Sequence, residues 1–199
     1  MSADRVAFLV ECVGMSSLWT GERVRLRGIE PEDWAEFRRF DDDTEVQRDA
    51  DMVHLPRSDA ASLQWAEEQS LYKAENDQFQ LAIEAIETDT LVGALSTNGT
   101  SQRAGRFSYG IAIGREYHRH GYASDAVKIL LRYMFLERRY HKAEAGVYGY
   151  NKASIALHEH LGFQHEGRLR EHEFLDGAYQ DMVLMGITAE EFADLHIRK

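Results

Sequence analysis

Between residues 79 and 137 the hydrophobic period changes once, from two to about 3.6, and the change falls at a polar loop ending in a glycine. Three strand-length stretches come first, 79–86, 91–97 and 107–113. Polar turns part them, Glu87-Thr88-Asp89 and then Asn98-Gly99-Thr100, so they read as an antiparallel meander. After Gly121 the apolar residues Ala123, Val127, Leu130 and Met134 recur at helical spacing through Glu137. The flanks extend the pattern. Val24, Leu26 and Gly28 alternate with Arg23, Arg25 and Arg27, which predicts a half-exposed strand over 22–29. Pro31 opens a helix in its first turn, with Glu32 and Asp33 behind it. A second helix is expected over 59–74, a strand over 142–150, and a short helix over 152–161 that Gly162 ends. Two last strands, 163–175 and 179–187, flank the hairpin turn Asp176-Gly177. The order β-αα-βββ-α-β-α-ββ predicts an α+β fold. Its sheet is mixed, mostly antiparallel, of six to seven strands, with helices on its flanks.

A chain of 199 residues buries one sizeable core and is short for two. Residues 1–17 lack periodicity and are expected to be an N-terminal extension; a single domain is expected over 18–199. The one cysteine, Cys12, falls in that extension and has no second thiol to pair with. The net charge of −11 speaks against nucleic acid as a partner and favours cationic ones. No apolar run approaches the roughly 20 residues of a membrane helix, so no membrane association and a cytoplasmic location are expected.

The segment 111–123 carries the most chemistry. A strand ends at Ile111, Ala112 and Ile113, a polar loop follows, and a helix begins at Gly121, Tyr122 and Ala123. Main-chain N–H groups at a helix start, aided by the helix dipole, form an anion site. Gly121 lets the backbone approach a phosphate closely. Arg119, with His118 and His120 when protonated, supplies the positive charge that an acidic protein otherwise lacks. A plain strand-to-helix connection with a solvated basic turn is the alternative. Further on, Asn151, Ser154 or Ile155, and His158 share one face of the short helix, with Ala153, Leu157, Leu161 and His160 opposite. Such a polar face can line a cleft, although Asn151 as N-cap and Ser154 in the first turn also satisfy ordinary helix capping.

His118-Arg119-His120-Gly121-Tyr122-Ala123 resembles the pyrophosphate loop of the GNAT acetyltransferases, Gln/Arg-x-x-Gly-x-Gly/Ala, with His118 in place of Gln or Arg. Asn151-x-x-Ser154-x-x-Leu157-x-x-x-Leu161-Gly162-Phe163 is similar to the family's motif after its fifth strand. The run from Glu166 to Arg170 and from Asp176 to Asp181 looks like the closing hairpin of the RimJ/RimL-type subgroup. The resemblance implies the GNAT fold and acetyl-CoA as cosubstrate. It implies acetyl transfer to a primary amine of a small molecule or peptide, or to a protein N-terminus. A CoA-binding sensor without catalysis is the reading from another class. The resemblance also gives Asn151 a hydrogen bond to the pantetheine arm, and it puts His158 where many members carry a tyrosine that protonates the thiolate. The stretch Gly110-Ile111-Ala112 corresponds to a strand bulge whose N–H stabilises the oxyanion.

An attacking amine must be neutral, and reference pKa values are about 7.7–8.0 for an α-amine and about 10.4 for lysine. Glu84 and Glu144 are the candidate bases, with a solvated strand residue or ion-pair partner as the alternative for each. His158 is the candidate acid, with Tyr148 and Tyr150 as alternatives. The nine histidines lack metal-ligand spacing, so no metal is expected. A homodimer through the last hairpin or the fourth strand is the remaining partner expectation.

Overall fold

The computed structural model describes residues 17–198. The expected extension therefore lies outside the described residues, except Ser17. Seven strands form one sheet: β1 (Val24–Arg27), β2 (Gln80–Ala85), β3 (Thr90–Ser101), β4 (Arg106–Ile113), β5 (Lys142–Tyr148), β6 (Gln164–Leu175) and β7 (Ala178–Thr188). Their spatial order is β1-β2-β3-β4-β5-β7-β6. Every neighbouring pair is antiparallel except β4 with β5. Six α-helices accompany the sheet among the described residues: α1 (Trp34–Asp41), α2 (Thr44–Ala50), α3 (Asp59–Ser70), α4 (Tyr122–Arg132), α5 (Lys152–Leu161) and α6 (Ala189–His196). This is the mixed α+β sheet read from the sequence.

Alternation along the strands divides the apolar side chains between two faces. The large core lies on the α4 side, where Ile83, Leu95 and Phe107 meet Val127, Leu130 and Met134, all buried. The other face is thinner. Ile29, Phe37, Ala82 and Leu91 pack there against Trp65 and Phe40 of α3 and α1. α4 runs on through a wider π-type turn, Tyr133–Glu137, which accounts for a helical period reaching Glu137.

Two helices have no counterpart in the sequence reading. α2 buries none of its residues, and its seven residues offer only Val46 and Ala50 as apolar positions. Asp43 caps it by accepting from the N–H of Glu45 and Val46. α6 begins at a capping box between Thr188 and Glu191. That Thr-x-x-Glu spacing was available in the sequence. In addition, α3 stops at Ser70, short of the expected 74.

The expected bulge in β4 is absent. Its register against β3 is unbroken from Gly93 opposite Ile113 to Asn98 opposite Ser108. The irregularity falls one strand away. Ile83 faces Gly93 while Glu84 faces Leu91, which leaves Val92 as the extra residue of β3.

Candidate active site

β4 and β5 are partners for only three residue pairs, from Arg106 opposite Lys142 to Ser108 opposite Glu144. β4 then continues to Ile113 beside β3, and β5 to Tyr148 beside β7. From Tyr109 onward the two strands diverge. Their facing edges carry main-chain N–H and C=O groups with no strand opposite, and such groups need a partner. A cavity of about 550 Å³ lies along the freed end of β4, with Ile111, Ala112 and Ile113 on one side and the residues from Asn151 to His160 on the other.

The loop after β4 closes one end of it. Gly114 donates its N–H to Val92 O at 2.9 Å, so the bulged residue of β3 holds the start of the loop. φ is positive at Arg119 (64°) and at Gly121 (78°) but not at His120 between them. Such alternation turns successive N–H groups toward one concavity, an anion nest. α4 starts directly behind it, and no side chain caps its first turn. Its orphan N–H groups and positive dipole end therefore face the cavity. Asp125 in that turn does different work. Its Oδ2 accepts from the N–H of Arg23 at 2.7 Å and of Val24 at 2.9 Å, which ties β1 to α4. Of the loop's cations, Arg115 is held by Asp43 and Glu45. Among the described residues no acid pairs with Arg119.

α2 lies over the opening. Its last carbonyls lack helical partners and are met by side chains from the end of β5. Tyr148 donates to Asp51 O at 3.2 Å, Tyr150 to Arg48 O at 2.8 Å, and Asn151 to Asp49 O at 3.4 Å. Asn151 also caps α5, its Oδ1 accepting from Ser154 N at 2.9 Å. Of the residues expected to bind a cofactor, Ile111, Ala112, Ile113, His118, Arg119, Gly121, Tyr122, Ala123, Asn151 and Ser154 all line the cavity. His120 does not; its ring stacks on Tyr122 at 5.4 Å.

A family model described as an acetyltransferase (GNAT) domain matches residues 23–164. The chain belongs to the GNAT acetyltransferase family. Among similar proteins, the SPbeta prophage-derived uncharacterized N-acetyltransferase YokL of Bacillus subtilis (strain 168) is 41% identical over 175 residues. That match spans 87% of this chain and 94% of YokL. The uncharacterized N-acetyltransferase p20 of Bacillus licheniformis is 31% identical over 183 residues, 90% of this chain and 99% of that protein. In fold, spermidine N-acetyltransferase from Vibrio cholerae, solved in complex with CoA and spermine, superposes with a TM-score of 0.72. It shares 22% identity and covers 85% of this chain and 97% of its own. This N-acetyltransferase therefore has the GNAT fold.

None of the four residues expected to be catalytic lines the cavity of this GNAT chain. Glu84 sits on β2, two strands from the opening. It is buried opposite Arg25 and ion-paired with Arg25 and Arg27, and Arg27 bridges on to Asp33 at 2.7 Å. Glu144 lies where β4 and β5 are still paired, held by Arg106 at 2.8 Å and Lys142 at 3.7 Å. Both carboxylates are ion-pair partners. Tyr148 uses its hydroxyl on α2, and burial pushes its pKa up to about 12.

His158 corrects the expected face of α5. Ala153, Ala156, Leu157 and His160 line the cavity beside Ser154, while His158 and Leu161 turn into the core. The imidazole satisfies one nitrogen inside its own helix: Nδ1 donates to Ser154 O at 2.7 Å. The rest of the ring packs like an aromatic side chain, between Tyr109 (5.8 Å) and Phe163 (5.0 Å). Among the described residues neither His158 Nε2 nor the neighbouring Tyr109 hydroxyl has a hydrogen-bond partner, and both are buried. Burial holds the His158 pKa below its ordinary 6.5, which favours the neutral ring.

Two outcomes follow for His158→Phe. First, kcat for acetyl transfer stays within about threefold of wild type. Second, the pH dependence of stability changes. The unfolded state takes up a proton near pH 6.5 and the folded state only below that, so His158 removes stability as pH falls through 6.5. The drop in melting temperature from pH 7.5 to 5.5 should be smaller in the variant. Thermal melts at the two pH values check this, and an equal drop contradicts it.

Proposed function

We propose that this protein transfers an acetyl group from acetyl-CoA to a primary amine by direct attack within a ternary complex. The observation that carries the reading is one cavity bordered by the end of β4 that has left β5 and by the uncapped start of α4. The residues present fit acetyl-CoA. The N–H groups from Arg119 to Ala123 would hold its pyrophosphate, and Arg119 would add the charge that this acidic chain otherwise lacks there. At φ 78° Gly121 holds the turn that presents those N–H groups, a conformation that glycine adopts without strain. The strand edges near Ile111 and the side chain of Asn151 would hold the two amides of the pantetheine arm. When bound, acetyl-CoA supplies a thioester carbonyl that an amine can attack. The chain's part is to orient that carbonyl beside Ala112 and to cover it with α2, excluding water. The sequence of the closing hairpin, which resembles that of the RimJ/RimL-type subgroup, supports an acceptor of that subgroup's kind. A spermidine acetyltransferase among its structural neighbours agrees with an amine acceptor.

The test is thiol release from acetyl-CoA by purified protein across a panel of amines and short peptides. Amine-dependent release is expected, and its absence with every acceptor would count against transfer. Asn151→Ala tests the arm. It removes a hydrogen bond worth about 0.5–1.5 kcal/mol, so KM for acetyl-CoA should rise about two- to twelvefold. An unchanged KM would remove Asn151 from the site.

A further inference from the structure

Ala82, Ala94 and Ala112 stand opposite one another across β2, β3 and β4. They lie on the face that α1 and α3 cover. Ala94 and Ala112 line a hollow there, because their methyl groups do not fill the gap beneath the helices. The hollow holds about 290 Å³, the small end of the range for small-molecule sites. It shares Val46, Ala50, Ala112 and Ile113 with the larger cavity, so the two meet where β4 ends beneath α2.

Its wall is aromatic on one side. Phe37 stands edge-on to Phe40 at 6.2 Å and to Trp65 at 5.1 Å. Its charged lining is Asp41, Asp51 and Arg57, with His54 beside them. With His54 neutral, two carboxylates and one guanidinium leave a net charge of −1. Arg57 belongs to the wall, its guanidinium 5.7 Å from the centroid of the Trp65 ring. It approaches Asp41 only to 4.0 Å, too far for a hydrogen bond. Asp41 is thus left half-buried without a hydrogen-bonded cation.

We propose that this hollow receives the acceptor, and that the acceptor is a compact amine with one ammonium on an apolar, aromatic-sized body, its nitrogen meeting Asp41. The inference rests on the acetyl-transfer reading and names its substrate class. A polyamine fits poorly, because a second ammonium would meet Arg57 in a pocket that neutralises one positive charge. A peptide fits poorly because its main chain would lose hydrogen bonds against three aromatic rings.

The step balances. The ammonium gives one proton to Asp41 and through it to solvent. The neutral nitrogen bonds to the thioester carbon, the C–S bond breaks, and the second nitrogen proton leaves on the thiol sulfur. One N–H remains on the amide. Burial raises the Asp41 pKa, against the opposing pull of Arg57, His54 and Arg38, which suits a proton acceptor.

The experiment measures initial rates of thiol release at saturating acetyl-CoA with 2-phenylethylamine, spermidine and trialanine. kcat/KM for 2-phenylethylamine should exceed both others at least tenfold. Asp41→Asn should lower it at least tenfold and leave the CoA dissociation constant unchanged by calorimetry. Ala94→Val, which fills the hollow from the strand side, should raise KM for the amine alone. Spermidine or trialanine matching 2-phenylethylamine would overturn the inference and leave acetyl transfer standing. CoA binding without turnover of any amine would overturn the transfer reading as well. Full activity of Asp41→Asn would remove Asp41.

Discussion

Gly93→Val is expected to lower the melting temperature by about 6–12 °C, the shift that about 3 kcal/mol produces in a chain of this size. A Cβ at Gly93 would stand 2.2 Å from Ala112 O and 3.0 Å from Ile113 Cα. Both are main-chain atoms of the neighbouring strand and cannot swing aside as the end of a side chain would. The damage falls at a sensitive place. Gly93 follows the bulged Val92, whose carbonyl receives Gly114 N–H at the start of the loop, and Ala112 walls both cavities. Catalytic efficiency should therefore fall further than the folded fraction does, measured well below the melting temperature. A variant with wild-type stability would contradict the close approach of β3 and β4.

Gly121→Val is expected to weaken acetyl-CoA binding about ten- to a hundredfold. At φ 78° and ψ 3°, Gly121 lies in the left-handed region, where an L residue is strained by about 1–2 kcal/mol and a β-branched one by more. A side chain would also meet Arg23 Cδ and Nε at 3.2 Å. The loop can relieve that strain only by turning its N–H groups away from the nest. Asparagine visits the left-handed region more readily. Gly121→Asn should therefore recover part of the affinity lost in the valine variant. Equal losses in the two would mean that bulk, not backbone conformation, is what the position excludes.

Much of this was legible because it is local. The meander, the glycine-opened helix and the hairpin each rest on residues adjacent in sequence. Asp176 and Gly177 take φ of 51° and 78°, as a tight hairpin turn requires. The anion loop was legible for the same reason. What escaped reading depends on distant contacts or on faces that composition does not mark. α2 is held by Arg115 and by Tyr148, Tyr150 and Asn151, all about seventy to a hundred residues away in sequence, and buries none of its residues. The divergence of β4 from β5 is a property of the sheet and leaves no mark on either strand. His158 was read as polar, yet its Nδ1–H closes onto its own helix and the ring packs as an apolar group. Glu84 and Glu144 show the reverse limit. Their arginine partners lie on neighbouring strands, and only the register brings them together. The alignment of the three alanines depends on the register of β2, β3 and β4, and Asp41 reaches the hollow only through the packing of α1 over that face.

Calorimetric titration of CoA into the purified protein tests the central claim most directly. A single site is predicted, weakened at least tenfold by Gly121→Val and untouched by Asp41→Asn. Absence of binding heat at any temperature, or equal affinity in the Gly121→Val protein, would contradict the account.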